Sequence, residues 1–197
     1  FMEFCESESF VYDDQRLKSA SFDTSKGFGL RAVAGESSGY AHSSDIDEKS
    51  LKKASDTVNF VTKDNNANFN AAFSQTNRKL YKETNPINET EFSEKVNVLK
   101  DIDEYARSKN TQVKQVSASL NGEWQAVHIL RKGGYHCGDI RPLVRLNISV
   151  TVDDGKRMET GSSGAGGRKN YIDFFDENIW KEQTRDALRQ AITCLLY

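Results

Sequence analysis

Few side chains in this sequence could serve as nucleophiles, proton carriers or metal ligands. The histidines and cysteines number three each, at His42, His128, His136, Cys5, Cys137 and Cys194. No HExxH segment occurs, so the two-histidine helical arrangement of common zinc proteases is missing from these residues. His136 and Cys137 are adjacent in a predicted strand, where successive side chains point to opposite faces. We therefore do not expect them to share a proton as a nucleophile–base pair.

The glycine-rich run at 161–167, GSSGAGG, has the composition of a phosphate-cradling loop. It lacks the Lys-Ser/Thr pair that completes a P-loop, and it follows a hairpin arm instead of opening a helix. We therefore predict a flexible loop at the rim of a sheet.

The strand that precedes this run has one apolar and one polar face. Strict alternation with polar residues is typical of a half-buried strand, and its apolar positions are Val144, Leu146, Ile148, Val150 and Val152. Arg145 lies on the polar face, and Arg141 precedes Pro142 at the start of the strand. Two interpretations stand side by side. The polar face is either an ordinary solvated surface or the wall of a groove, where arginine side chains bind peptide carbonyls or a carboxylate.

Composition excludes several classes of function. The net charge of −2 over 197 residues gives no electrostatic support for a nucleic-acid partner. An odd number of cysteines without CxxC spacing favours a reducing compartment. No apolar run reaches the roughly 18 residues of a membrane helix, and no signal peptide opens the chain. We therefore expect a soluble, cytoplasmic protein.

The elements that must position these residues are strands and helices in separate blocks. Residues 1–42 are predicted to be short strands, with a turn at 13–15. Helices are predicted at about 47–61, from Asn88 to Asn110, and at about 178–197. The core stripe of the second helix is predicted to consist of Phe92, Val96, Leu99, Ile102 and Ala106. A long Asn-rich arm or loop is predicted over 62–87.

Three hairpin signals follow the second helix. They are Asn121-Gly122, Gly133-Gly134 and Asp154-Gly155, the last predicted to be a type I′ turn. The predicted class is α+β, with antiparallel β-meanders packed against about three helices. The chain begins Phe1-Met2 and stops in a helical pattern at Tyr197, so we expect a fragment of a longer protein.

Four segments together resemble a known family. They are GFGLRAVAGESSGYAHSSDI at 27–46, LYKETNPI at 80–87, QVSASLNGEW at 115–124 and DIRPLVRLNISVTVDDGKRMETGSSGAGGR at 139–168. Their sequences and their order along the chain are similar to those of TldD proteins, members of the TldD/PmbA family within the "modulator of DNA gyrase" superfamily. The resemblance covers most of the chain.

The resemblance implies a zinc metallopeptidase that works as a heterodimer with a TldE (PmbA-like) subunit and cleaves flexible or unfolded peptides. The family's HExxxH zinc helix and later cysteine lie C-terminal to the matched region. Residues 1–197 are then expected to be one N-terminal domain that shapes the substrate cleft and the partner interface. No catalytic residue, metal ligand or bound zinc is expected in this chain, which should be inactive alone.

The resemblance and the strand pattern together nominate a set of substrate-contacting residues. These are Arg141, Arg145, Gly164, Gly166, Gly167 and Arg168. The alternative is a non-enzymatic protein-interaction or scaffold module, for example half of an oligomer interface formed by the chain with itself.

Overall fold

The computed structural model describes residues 1–62, 80–132 and 135–196, and side chains in the first range only as far as Asn59. Over these residues the chain forms six strands and four helices. In order they are β1 (Met2–Asp13), β2 (Arg16–Ala34), β3 (Ser37–Ser43), α1 (Glu48–Thr62), α2 (Pro86–Glu89), α3 (Phe92–Lys109), β4 (Val113–Arg131), β5 (Tyr135–Asp153), β6 (Met158–Gly167) and α4 (Glu177–Leu196).

The strands form one antiparallel sheet with the order β3-β2-β1-β4-β5-β6. Two three-stranded meanders thus lie side by side, joined where β1 pairs with β4. The predicted α+β class is confirmed. The chain divides into two compact units, each containing pieces of the long strands. The first comprises Phe1–Glu6, Thr24–Leu80 and Gln125–Ile140, and the second comprises Ser7–Asp23, Tyr81–Trp124 and Arg141–Tyr197.

In the first unit, β2 and β3 form a hairpin against which α1 packs. Gly35 takes a φ of 57°, which glycine adopts without steric cost, at the turn between the strands. The Asp47 carboxylate accepts a hydrogen bond from the Ser50 backbone N–H at 2.7 Å, as a helix cap does. Among the described side chains of this helix, Ala54 and Val58 are buried. The helix predicted at about 47–61 is confirmed.

In the second unit, β5 lines a core completed by α3 and α4. The predicted alternation is confirmed, because Val144, Leu146, Ile148, Val150 and Val152 are each at most 1% exposed. The facing helices contribute Leu99, Ile102, Ala106, Trp180, Ala187 and Ala191 to the same cluster. Burial of this apolar surface supplies the main favourable free energy of folding.

The predicted core stripe of α3 is wrong at its first turn. Phe92 is 55% exposed, whereas Lys95 is only 3% exposed. The ammonium group of Lys95 has buried partners, namely the Glu8 carboxylate at 2.6 Å and the Ile87 carbonyl at 2.9 Å. The predicted start of this helix at Asn88 also differs, since Asn85 caps the short helix α2, which includes residue 88, and α3 begins separately at Phe92. An ion pair therefore takes the place that an apolar side chain was expected to fill.

The hairpin predicted at Asn121-Gly122 does not exist. Strand β4 runs unbroken through both residues, and Gly122 does not have a positive φ. Its lack of a side chain serves packing, because a Cβ atom at Gly122 would lie 2.0 Å from the Tyr171 hydroxyl oxygen. The glycine admits a large buried ring and does not mark a turn.

The β5–β6 hairpin is confirmed, but its turn is not type I′. Within this turn only Gly155 has a positive φ, of 84°, whereas a type I′ turn needs two such residues. The Asp154 carboxylate accepts the backbone N–H groups of Lys156 and Arg157 at 2.8 and 3.0 Å. The positive-φ pair instead lies between β1 and β2, at Asp14 (47°) and Gln15 (66°).

Two predicted features fall wholly or partly outside the described residues. Gly133-Gly134 is one, although β4 ends and β5 begins on either side of it. Most of the predicted arm at 62–87 is the other, and its described end runs without regular structure from Leu80 to α2. In the parts of the chain that the structure describes, no helix is long and apolar enough to cross a membrane.

Among the residues that the structure describes, Tyr171 is the largest side chain that is fully buried. Its hydroxyl makes no hydrogen bond within the described parts of the chain. Burial, and secondarily the nearby Glu8 carboxylate, raise the pKa of Tyr171 far above its usual value. The folded state therefore strongly favours the neutral phenol.

This raised pKa predicts a loss of stability at alkaline pH. The contribution of the neutral phenol is fully present below the unfolded pKa of about 10 and is lost as pH rises toward the folded pKa. Above about pH 10, Tyr171 alone should lower the free energy of unfolding by about 1.4 kcal/mol per pH unit. In urea unfolding between about pH 9 and pH 11, the free energy of unfolding of Tyr171→Phe should fall less steeply with pH than that of the parent protein, by this slope above about pH 10. Parallel curves for the two proteins would contradict the assignment.

Candidate functional site

The strand pair β5–β6 presents a polar face on the side opposite its core face. Directly opposed residues of an antiparallel pair share a face. The pairs on the polar side are Arg145↔Gly166, Asn147↔Gly164, Ser149↔Ser162 and Thr151↔Thr160. We call these eight residues the polar face of β5–β6. Because β6 is the terminal strand of the sheet in the described part of the chain, this face adjoins a strand edge.

A shallow depression of about 360 Å³ lies on this face. It is lined mainly by Ser117, Ser119, Arg145, Asn147, Ser149 and Ser162. The Nε of Arg145 donates a hydrogen bond to the Asn147 side-chain oxygen at 2.8 Å. Asn147 in turn donates to the Ser119 hydroxyl at 3.5 Å. The exposed guanidinium group is thus held at its Nε by a residue of the same strand.

A second depression of about 350 Å³ shares Arg145 with the first. Its polar lining comes from β1, β2 and β4 and includes Ser9, Asp23, Asn121 and Glu123. The Ser9 hydroxyl donates to the Asn121 side-chain oxygen at 2.8 Å. Arg145 therefore borders two depressions. One has a mainly apolar surface that includes the Asp23 and Glu123 side chains, and the other has a mainly polar surface rich in serine hydroxyls.

The predicted flexible loop at 161–167 is wrong, since these residues belong to strand β6. Glycine occupies these polar-face positions because a side chain would not fit there. A Cβ atom would lie 2.6 Å from the Leu146 carbonyl oxygen at Gly164 and 3.0 Å from that of Val144 at Gly166. The two strands approach each other closely because both side chains are absent.

The structure brings only part of the predicted site together. Arg145, Gly164 and Gly166 share the polar face, whereas Gly167 pairs with Val144 on the other face. Arg168 follows β6, where its guanidinium donates to the Pro142 carbonyl at 3.3 Å and lies 5.0 Å from the centre of the Tyr81 ring. Arg141 is half-buried in β5, four residues before Arg145.

Sequence reasoning missed the lining residues of β4. Ser117, Ser119 and Asn121 alternate with buried Val116, Ala118 and Leu120, so the period-two signal was present. The erroneous turn at Asn121-Gly122 divided that signal into two short strands. The chemistry of the assembled surface is that of hydroxyl, amide and guanidinium groups, which bind by hydrogen bonding.

Comparison with known proteins defines the class. The model of the PmbA/TldA metallopeptidase central domain matches residues 85–195, and the model of domain 1 of the same metallopeptidases matches residues 1–58. The fold resembles that of a protein described as a modulator of DNA gyrase from Bacteroides thetaiotaomicron, with a TM-score of 0.73 at 14% identity over 97% of this chain and 44% of that one. TldE from Thermococcus kodakarensis gives a TM-score of 0.64 at 13% identity, over 96% and 43%.

Sequence relatives support the same family. The metalloprotease TldD homologue of Haemophilus influenzae is 34% identical over 99% of this chain and 42% of its own length. That of Buchnera aphidicola from Schizaphis graminum is 31% identical over 94% and 40%. The chain belongs to the TldD/PmbA metallopeptidase family. It spans about two fifths of the length of these relatives.

The metal implied by the family name has no matching ligand set in the described ranges. Within 1–62, 80–132 and 135–196, no three or more His, Cys, Asp or Glu side chains are grouped so as to hold a metal ion. No step through a metal is therefore assigned to these residues.

Proposed function

We propose that this chain is the N-terminal part of a TldD-type zinc metallopeptidase and that the polar face of β5–β6 borders the path of a flexible or unfolded peptide. One observation carries the proposal: Arg145 lines two adjacent depressions, one mainly apolar and one mainly polar, and the polar one reaches the terminal strand β6. Relatives called metalloproteases make a peptide the natural occupant of such a surface.

The chemistry of the surface suits peptides of varied sequence. Serine hydroxyls and the Asn147 amide can donate and accept hydrogen bonds, as main-chain N–H and C=O groups require. The guanidinium of Arg145 can bind a peptide carbonyl or terminal carboxylate with more than one N–H group. The outer edge of β6 can accept an added strand through main-chain hydrogen bonds, which depend little on side chains. Arg141, Arg168 and the glycines of β6 complete the proposed contact region.

Catalysis in this proposal comes from residues outside 1–197. The zinc ion and the groups that activate water would be supplied there, so the chain alone would hydrolyse no peptide. The proposed partner is a TldE/PmbA-like subunit or a second copy, and the likeness to a TldE structure supports this choice. A cytoplasmic location fits three cysteines that are not joined in disulfide bonds within the described residues. The net charge of −2 supports no nucleic-acid role.

Replacing Arg145 with alanine in the full-length protein tests the peptide path. We expect the KM for unfolded peptides to rise roughly tenfold, because losing one charge-assisted hydrogen bond costs about 1.5 kcal/mol. The kcat and the zinc content should not change. The matched control is Arg189→Ala on α4, where the side chain is 69% exposed and pairs with its helix neighbour Asp186. Equal KM values for the two variants would refute the proposed role of Arg145.

A different measurement distinguishes the metallopeptidase from the alternative, a non-enzymatic interaction or scaffold module. Zinc content and peptidase activity of the full-length protein decide between the two. Zinc with cleavage of unfolded peptides supports the metallopeptidase. A full-length protein with neither would leave the polar face as a protein-interaction surface.

A further inference from the structure

The two histidines of the first compact unit that lie on β4 and β5 form a close pair. The Nε2 of His136 is 3.1 Å from the Nδ1 of His128, and their ring centres are 4.8 Å apart at an interplanar angle of 53°. Both side chains are exposed. A shared proton can join the two nitrogens when at least one ring is neutral.

The space for this pair is provided by a glycine on the neighbouring strand. The His128 ring lies over Gly138, where a Cβ atom would be 3.3 Å from its Nε2. The ring is therefore accommodated with its other nitrogen, Nδ1, directed at His136. The two rings thus present one nitrogen each to a common point at the surface.

The distance between these nitrogens also suits a shared metal ion. Zinc–imidazole bonds are about 2.0–2.1 Å long, and two such bonds at angles between square and tetrahedral separate their nitrogens by roughly 2.9–3.4 Å. The observed 3.1 Å falls in this range. An ion placed there would replace the shared proton without movement of the strands.

We propose that His128 and His136 bind a borderline divalent cation such as Ni²⁺, Cu²⁺ or Zn²⁺, the ions that imidazole ligands suit. Only these two protein ligands are proposed, since no cluster of three or more ligating side chains exists in the described portion of the chain. Water completes the coordination, as the exposure of both rings allows. The ion bridges β4 and β5 and stabilises the folded state, by an amount that grows with the logarithm of the free ion concentration above the Kd.

The test is titration of the untagged 197-residue chain with Ni²⁺, followed by calorimetry and by paramagnetic broadening of NMR signals. We expect one ion per chain, with broadening centred on the imidazoles of His128 and His136. His128→Ala and His136→Ala should each weaken binding about tenfold or more, since even outer-shell changes cost about 10–100-fold. Because both side chains are exposed, both variants should keep the circular dichroism spectrum of the parent protein.

The chain offers a matched control for each competing ligand. His42 is the third histidine, and its ring centre lies 5.8 Å from that of Tyr40, so His42→Ala should leave Ni²⁺ binding unchanged. Cys194 is an exposed thiol, so Cys194→Ser should also leave it unchanged. Broadening centred on Phe1, His42 or Cys194, equal affinities in the His128→Ala variant and the parent, or no binding would each overturn the proposal.

Discussion

Gly161→Ala is expected to lower the free energy of unfolding by about 3 kcal/mol or more, since overpacking a tight core contact costs about 1–3 kcal/mol and sometimes more. A methyl group at this position would lie 2.1 Å from the Ala187 carbonyl oxygen and 2.6 Å from the Ala191 nitrogen. Both atoms belong to the backbone of α4, so the clash is relieved only if the helix moves away from β6. Thermal unfolding should show a midpoint roughly 6–12 °C lower.

The control for this prediction lies in the same strand. Gly167 is six residues further along β6, and the nearest atom to an added methyl group there is 4.0 Å away, on Lys169. Gly167→Ala should therefore change the free energy of unfolding by less than about 0.5 kcal/mol. Similar losses in the two variants would mean that strand propensity, and not helix packing, is the reason for glycine at 161.

The second large effect is expected for Lys95→Ala, which should cost about 3–5 kcal/mol of stability. Lys95 Nζ is 2.6 Å from a Glu8 carboxylate oxygen, and both side chains are at most 8% exposed. The same ammonium lies 4.8 Å from the centre of the Tyr171 ring. Removing it leaves a buried carboxylate without its counter-charge, which is far more costly than losing an exposed ion pair. Urea unfolding measures the difference.

Two variants control for the loss of a lysine as such. Lys100 lies on the same helix and pairs with Glu104 at 3.5 Å, with both side chains more than half exposed. Lys100→Ala should cost less than about 1 kcal/mol. Lys95→Met combined with Glu8→Leu should be more stable than Lys95→Met alone, because no unpaired charge then remains buried. A double variant as unstable as the single one would contradict the ion-pair explanation.

The local sequence pattern was sufficient to predict a strand or helix where one face of that element is buried and the other is solvated. The alternation from Val144 to Val152 predicted β5 correctly, and apolar spacing predicted α1 and α4. These signals are reliable because burial of every second or every third to fourth residue fixes the period of the backbone.

Glycine misled the sequence reasoning because it has two physical uses. It adopts a positive φ in turns, and it also admits close neighbours where a side chain would not fit. Gly122 accommodates the Tyr171 hydroxyl, and Gly161 accommodates the backbone of α4. Both contacts involve residues distant in sequence, so no local pattern could distinguish these glycines from turn glycines.

The proposed binding surface likewise depends on contacts between residues that are distant in sequence. Arg145 and the glycines of β6 were nominated from sequence, but the depressions beside Arg145 need residues from β1, β2, β4 and β6. His128 and His136 were likewise considered one at a time and meet only because β4 and β5 are neighbours.

The sequence by itself determined the α+β class, the polar and apolar faces of β5, and membership of a metallopeptidase family. Only the tertiary structure decided that 161–167 is a strand, that Lys95 is buried and that Arg145 lies between two depressions. The physical reason is the range of the interactions involved. Periodic burial is written in neighbouring residues, whereas close packing, ion pairing and surface shape depend on residues brought together from distant parts of the chain.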